Sequence, residues 1–259
     1  MAINDSVFNK ICDIAGSENC SRAKEDLACY AYDATSSRYL PDAVVFPKEA
    51  GEVSEILKIA NEENIFIIPR GSGSGMTGGS VPVMGGVVIA MTRFNRIIEI
   101  DTDNLTAFVE PGVITARLHR EVEKLGLFYP PDPSSSEFST LGGNLAECAG
   151  GPRAVKYGVT RDYVLGLEAV LPTGEIIKTG VKTAKGVAGY DLTRLLVGSE
   201  GTLGVITQMT LKLLPLPESV RTMTASFNDL GKAAEAVSEI IRRGIVPRTI
   251  EFMDKASII

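Results

Sequence analysis

The sequence predicts an α+β fold. Three features carry that expectation: a strand–helix–strand pattern near the N-terminus, a succession of short β-leaning segments after it, and long glycine-rich connections between them. The chain has 259 residues, 44% hydrophobic and 22% charged, enough for one large domain or two smaller ones with a sizeable core.

Ala43 to Phe46 reads as the first strand, closed by Pro47. Val53, Ile56, Leu57 and Ala60 recur at i, i+3, i+4 and i+7, one apolar face of a helix. Ile65 to Ile68 follows as a buried strand that stops at Pro69. Strand, helix and strand at this spacing make a βαβ unit with parallel strands. Gly86 to Met91 reads as a third strand, and Ile97 to Ile100 and Thr106 to Glu110 as short ones. Leu118, Val122 and Leu125 mark an amphipathic helix that ends near Gly126. Tyr129 to Gly151 is rich in Pro, Ser and Gly without a sustained period and reads as a long functional loop.

Val164 to Leu171 and Glu175 to Thr179 flank Pro172-Thr173-Gly174, a tight hairpin turn. Asp191 caps a short helix leading to Leu196. Gly204 to Leu213 is a strand in which Val205, Thr207, Met209 and Leu211 alternate. Pro215 and Pro217 mark a boundary. Beyond it Met223 to Phe227 reads as a strand, and Asp229 caps a helix with Leu230, Ala233, Val237, Ile240 and Ile241 inward and Gly244 after its end. Ile250 to Met253 reads as a last strand. One helix and two strands cannot bury their apolar faces alone. This tail is therefore expected to pack on the main body or to continue past Ile259, as in a truncated chain.

Net charge is −6, which argues against a nucleic-acid binder, whose surface must be cationic. Met1 to Lys10 carries Asp5 and no apolar stretch, unlike a signal peptide, and no apolar run approaches the length of a membrane span. The cytoplasm is the expected location. Cys12, Cys20, Cys29 and Cys148 lack paired metal-ligand spacing and read as ordinary thiols.

Three motifs carry chemistry. The first is Pro69-Arg70-Gly71-Ser72-Gly73-Ser74-Gly75-Met76-Thr77-Gly78-Gly79. Closely spaced amides without bulky side chains can curl into an anion nest, with a pyrophosphate as the natural guest. Arg70 either adds charge there or braces the loop. Gly73, Gly75 and Gly78 satisfy G-x-G-x-x-G, yet no helix opens after them, so the setting is not a Rossmann turn. The second motif runs from Pro131-Asp132-Pro133 through Ser139-Thr140 and Gly142-Gly143-Asn144 to Ala149-Gly150-Gly151. Its small residues either admit a flat ligand against the backbone or form a structural loop. The third, Gly198 to Gly201 followed by Gly204-Val205-Ile206, either meets a heterocycle or is a plain helix-to-strand turn.

Together the three motifs, in order, resemble the FAD-binding domain of the vanillyl-alcohol oxidase superfamily, with its PCMH-type fold. Tyr32-Asp33, Pro41 to Pro47, and Lys185 through Gly189-Tyr190-Asp191-Leu192 resemble one branch of it, that of the GlcD-type glycolate oxidases, D-lactate dehydrogenases and D-2-hydroxyglutarate dehydrogenases. The resemblance covers about Asp26 to Pro217. It implies two α/β subdomains, about 1–100 with parallel strands and about 101–217 with a mainly antiparallel sheet, and FAD between them. Residues 218–259 would begin an incomplete C-terminal cap domain. Pro69, Arg70, Gly71, Ser72, Gly73, Ser74, Gly75, Met76 and Thr77 would hold the pyrophosphate. Pro131, Asp132, Ser139, Thr140, Gly142, Gly143, Asn144, Ala149 and Gly150 would run beside the flavin, and Gly201, Gly204, Val205 and Ile206 would meet the adenosine side.

Some members tether FAD through a histidine where this chain has Ser74. The only histidine is His119, expected at the surface, so FAD is expected to be noncovalent. The resemblance implies hydride transfer from a small 2-hydroxyacid to flavin. Electrons would pass to an iron–sulfur subunit or an electron-transfer flavoprotein, in the cytoplasm or at the inner membrane through that partner. The base and any metal would come from the cap domain, so catalytic residues stay unassigned. Arg38 and Arg153 are either carboxylate partners or solvated arginines. The alternatives are an NADPH-using reductase of the UDP-N-acetylenolpyruvoylglucosamine type, a non-catalytic FAD-binding electron-transfer module, and an interaction module without cofactor.

Overall fold

The computed structural model describes residues 3–183 and 185–258, so Met1 and Ile259 lie outside it. The architecture is α+β, built on two principal sheets with a core each. The first sheet comprises β1 (Cys20–Ser21), β2 (Ala43–Val45), β3 (Ile67–Arg70) and β4 (Val87–Ala90), in the order β1-β2-β4-β3. β2 and β3 are parallel as the spacing predicts, but both pair with β4, which lies between them. Helix α3 (Ala50–Glu62) turns Val53, Ile56, Leu57 and Ala60 into this core. Helix α1 (Asp5–Ala15), which the sequence pattern does not announce, packs against α3, and the short α2 (Lys24–Cys29) lies against β2; the Asn4 side chain caps α1 by accepting from the Val7 amide at 2.9 Å.

The strand after α3 does not stop at Pro69. It runs to Arg70, and Ile65 and Phe66 stay outside it, with Phe66 exposed. β3 is a sheet edge and only half-buried, which is why a residue without an N–H is tolerated there.

The second sheet comprises β5 (Ile97–Asp101), β6 (Thr106–Val109), β8 (Val164–Val170), β9 (Ile176–Gly180) and β10 (Val205–Lys212), antiparallel in the order β5-β6-β10-β8-β9. The β8–β9 hairpin turns through Gly174 at φ +86°, as the Pro-Thr-Gly sequence predicts. Val109, Met209 and Leu211 are fully buried in this core with Leu118 and Val122 of α4 (Thr115–Glu123). Val170 and Val205 belong to the other core, against Ile56 and Val87. The two sheets therefore abut where β8 ends and β10 begins. A short pair, β7 (Leu127–Phe128) with β11 (Leu214–Pro215), closes the second sheet's end.

Further expectations are corrected by the structure. The stretch from Tyr129 to Gly151 is not all loop: α5 (Leu141–Glu147) forms within it, and α6 (Ala154–Tyr157) follows. Thr140 caps α5, its hydroxyl accepting from the Gly143 amide at 3.3 Å. The glycines that mask the helical pattern are there for packing, since a Cβ at Gly142 would overlap Pro111. His119 is not at the surface. It is buried on α4, and its Nε2 donates to the Pro131 carbonyl at 2.9 Å beside the Tyr129 ring. In the tail, neither Met223 to Phe227 nor Ile250 to Met253 is a strand, because no neighbouring strand takes up their backbone groups.

Helix α7 (Leu192–Leu196) and helix α8 (Leu230–Arg242) are capped by Asp191 and Asp229 as expected. The apolar side of α8 is not turned inward, however. Leu230 is 65% exposed and Val237 and Ile241 are also open, since nothing among the described residues covers them. Met209→Ala is expected to cost about 2–5 kcal/mol in urea unfolding, the usual range for emptying a packed site. Leu230→Ala should stay within about 0.5 kcal/mol. Equal losses would mean that α8 is docked in solution.

Candidate functional site

β3 delivers the chain at Arg70 to a loop that returns to β4. Arg70 is only 5% exposed. Its Nη1 donates to the Ser80 carbonyl at 3.0 Å and its Nη2 to the Tyr32 carbonyl at 2.6 Å, and its guanidinium lies over the Tyr30 ring. Of the two roles left open for it, the structure assigns the brace. Gly73, at φ +70°, leaves the space that the guanidinium fills, and a Cβ at Gly71 would overlap the Thr140 hydroxyl. The loop therefore lies directly on the start of α5.

Between the loop, α5 and the first residues of β10 lies a cavity of about 230 Å³. Pro69, Arg70, Gly71, Ser72, Gly73, Ser74, Gly75 and Met76 form one wall, Thr140, Gly142, Gly143, Asn144 and Ala149 a second, and Gly201, Gly204, Val205 and Ile206 a third. All three motifs meet here. A more open groove of about 440 Å³ adjoins it, sharing Pro69, Gly201, Gly204 and Val205, with Leu57, Phe66, Asn61 and Asn64 on its other side.

Five expected residues lie outside the cavity wall. The Thr77 hydroxyl donates to Glu147 at 3.1 Å. Ser139 is buried behind the wall, its carbonyl accepting from the Thr115 amide at 2.9 Å. Pro131 is held by His119, Asp132 by Arg153 at 3.0 Å, and Gly150 sits against Val159. Neither Arg38, which lies over Tyr32, nor Arg153, which lies over Phe128, lines the cavity. Wall residues absent from the sequence motifs' expected contacts include Ser80, Met91, Pro111, Ser135, Glu147 and Glu200. Glu147 could have been found only by recognising α5, whose turn after Asn144 carries it.

Among the described residues, the backbone amides of Ser72 to Thr77 have no protein acceptor. By contrast the first amides of α5 are occupied: Leu141 donates to Val113, Gly142 to Pro111, and Gly143 to Thr140. In the glycine loop, by comparison, the donors from Ser72 to Thr77 are free. A curl of unengaged N–H groups beside a cavity is a site for an anion. The surrounding acids bear on it. Burial pushes the Glu147 carboxyl above its usual range, and the charges of Glu200 and Asp33 push it further, against the opposing Thr77 hydroxyl. Among the described residues no group of three or more His, Cys, Asp and Glu is placed to hold a metal, and no helix is long and apolar enough to cross a membrane.

Residues 41–180 match a family model described as an FAD binding domain, and residues 216–259 match one described as the C-terminal domain of FAD-linked oxidases. Over 258 residues the chain is 50% identical to the glycolate oxidase subunit GlcD of Bacillus subtilis, covering 99% of this chain and 55% of that protein. It is 43% identical over 215 residues to a D-lactate dehydrogenase of Anaerostipes hadrus, covering 83% and 45%. The chain thus spans about half the length of these relatives. Among solved structures it resembles alkyldihydroxyacetonephosphate synthase, with a TM-score of 0.81, 26% identity, and coverage of 95% of this chain and 47% of that one.

The packing gives a stability test. Gly71→Ala pushes a methyl onto Thr140 and is expected to cost about 1–3 kcal/mol. Gly75→Ala has ordinary space beside Glu147 and should change stability by less than about 0.5 kcal/mol. The raised Glu147 carboxyl gives a pH test. Its folded value lies above its unfolded one, so protonation favours the fold. That contribution is complete below the unfolded value and is lost as pH rises through the folded one. Glu147→Gln should therefore raise the melting temperature at neutral pH and not at pH 4, and an equal gain at both would refute the reading.

Proposed function

This chain belongs to the FAD binding domain family matched over residues 41–180, and we propose that it is the FAD-holding half of a 2-hydroxyacid dehydrogenase acting on glycolate or D-lactate. The observation that carries this reading is the set of unengaged amides from Ser72 to Thr77 beside the cavity between the two sheets. The fit to FAD is good on this chain's own terms. The loop offers donors for a diphosphate, the glycine-lined wall at 142–143 admits a flat ring, and the adjoining groove extends the site along Gly201 to Val205.

Bound FAD supplies a two-electron acceptor for hydride. The loop residues Gly71 to Met76 would hold its diphosphate, Thr140 to Asn144 and Ala149 would flank the flavin, and Gly201, Gly204, Val205 and Ile206 would meet the adenosine. Pro131 and Asp132, held by His119 and Arg153, would back the flavin wall from outside the cavity. With Ser74 in the loop and His119 bound to Pro131, the cofactor would be held without a covalent histidyl link. Residues about 1–217 would form the FAD-binding domain, and 218–259 the start of the substrate-binding domain, a division supported by the second family match at 216–259. The open apolar side of α8 supports the same reading, since a larger domain would cover it.

The substrate assignment is supported by the hydroxyacids for which the two relatives are named. One of them is a component of a larger oxidase, which supports transfer of electrons to a partner protein, such as an iron–sulfur subunit or an electron-transfer flavoprotein. Such a protein would sit in the cytoplasm, or at the membrane through that partner.

The purified chain should be yellow, and acid should release FAD into the supernatant. Gly75→Val should leave the fold intact and weaken FAD binding at least about tenfold, because its side chain would occupy the diphosphate's place. Once a complete C-terminal domain is present, glycolate or D-lactate added without oxygen should bleach the flavin. Flavin that bleaches only with NADPH would move the assignment to a reductase. A colourless protein that ignores added FAD would remove it.

A further inference from the structure

The strip Tyr32-Asp33-Ala34 touches the glycine loop at three points. Arg70 Nη2 donates to the Tyr32 carbonyl, the Gly78 amide donates to Asp33 Oδ2 at 3.0 Å, and the Ala34 amide donates to the Gly75 carbonyl at 3.0 Å. Asp33 is only 5% exposed. Its second oxygen, Oδ1, accepts from the Thr35 amide at 2.8 Å and from the Thr35 hydroxyl at 2.6 Å. A buried carboxylate behind an anion site is at first sight misplaced, because it repels the ligand. Its placement has a geometric reason. Gly78 sits at φ +86°, where the loop reverses. By taking that one amide, Asp33 closes the far end of the loop, while the amides of Ser72 to Thr77 stay without acceptors. The neighbouring Arg70 guanidinium offsets its charge.

We propose that Asp33, steadied by Thr35, is a positioning residue that sets the curl of the glycine loop for the diphosphate of a dinucleotide. Asp33 does not line the cavity and touches no ligand there. It acts through Gly78 and, with its neighbour Ala34, through Gly75. The inference rests on the reading that the loop holds the diphosphate of FAD.

The test compares FAD with FMN, which has a single phosphate and no diphosphate bridge. Dissociation constants for both are measured by flavin fluorescence on the full chain stripped of its cofactor, alongside its melting temperature. Asp33→Asn keeps the size but places N–H groups where one of three donors now finds an acceptor. It is expected to weaken FAD about tenfold or more and to change FMN less than about twofold, since hydrogen bonds to a charged group are the stronger kind. Thr35→Val removes one support of the carboxylate and should weaken FAD about threefold, again sparing FMN. It also serves as the test if Asp33→Asn does not fold. FAD binding unchanged in the variants, or FAD and FMN weakened alike in step with the melting temperature, would overturn the positioning role. Failure of the unmodified chain to bind FAD would instead overturn the function proposed above.

Discussion

The amides from Ser72 to Thr77 meet no protein acceptor among the described residues, and much of the surrounding structure serves to keep them so. Left to itself, a glycine-rich segment would collapse onto its own carbonyls or sample many shapes, since glycine has the most backbone freedom to lose. Here it is held from both sides. Arg70 ties it to Tyr32 and Ser80, Ala34 takes the Gly75 carbonyl, and Thr140 presses against Gly71. One set of supports comes from the strip Tyr32 to Ala34 and the other from Thr140 at the start of α5, so the loop draws its shape from both halves of the fold. The position of the cavity follows from the same arrangement, because the sheets meet where Val170 and Val205 leave one core for the other.

The charge arrangement runs against simple expectation. The loop offers partial positive charge, yet Glu147 and Glu200 stand at its rim and Asp33 behind it. Burial, together with the charges of Glu200 and Asp33, makes the Glu147 carboxyl hold its proton more tightly than usual. A carboxyl that takes up a proton readily costs an incoming diphosphate less than a fixed negative charge would.

Much of this was legible in the sequence, and the exceptions share a cause. The helix face at Val53 to Ala60, the hairpin through Gly174, and the caps at Asp191 and Asp229 follow from local chemistry, so pattern alone finds them. Residues of all three glycine motifs line one cavity. What was hidden depends on partners distant in sequence. α5 was masked because Gly142 is needed for contact with Pro111, a requirement invisible in the local sequence. Pro69 looked like a stop because its edge position is a matter of sheet order. His119 looked exposed because its partner, the Pro131 carbonyl, carries no side-chain signal. The two strands expected in the tail are absent because strand pattern without a neighbour does not make a strand.

Pro69 has one further consequence. β3 forms an edge of the first sheet beside the cavity, the kind of edge onto which another extended chain can add itself by hydrogen bonding. A proline at that margin offers no N–H for such an intruder to use. The residue that leads the chain into the loop thus also removes one backbone donor from the sheet edge beside the cavity.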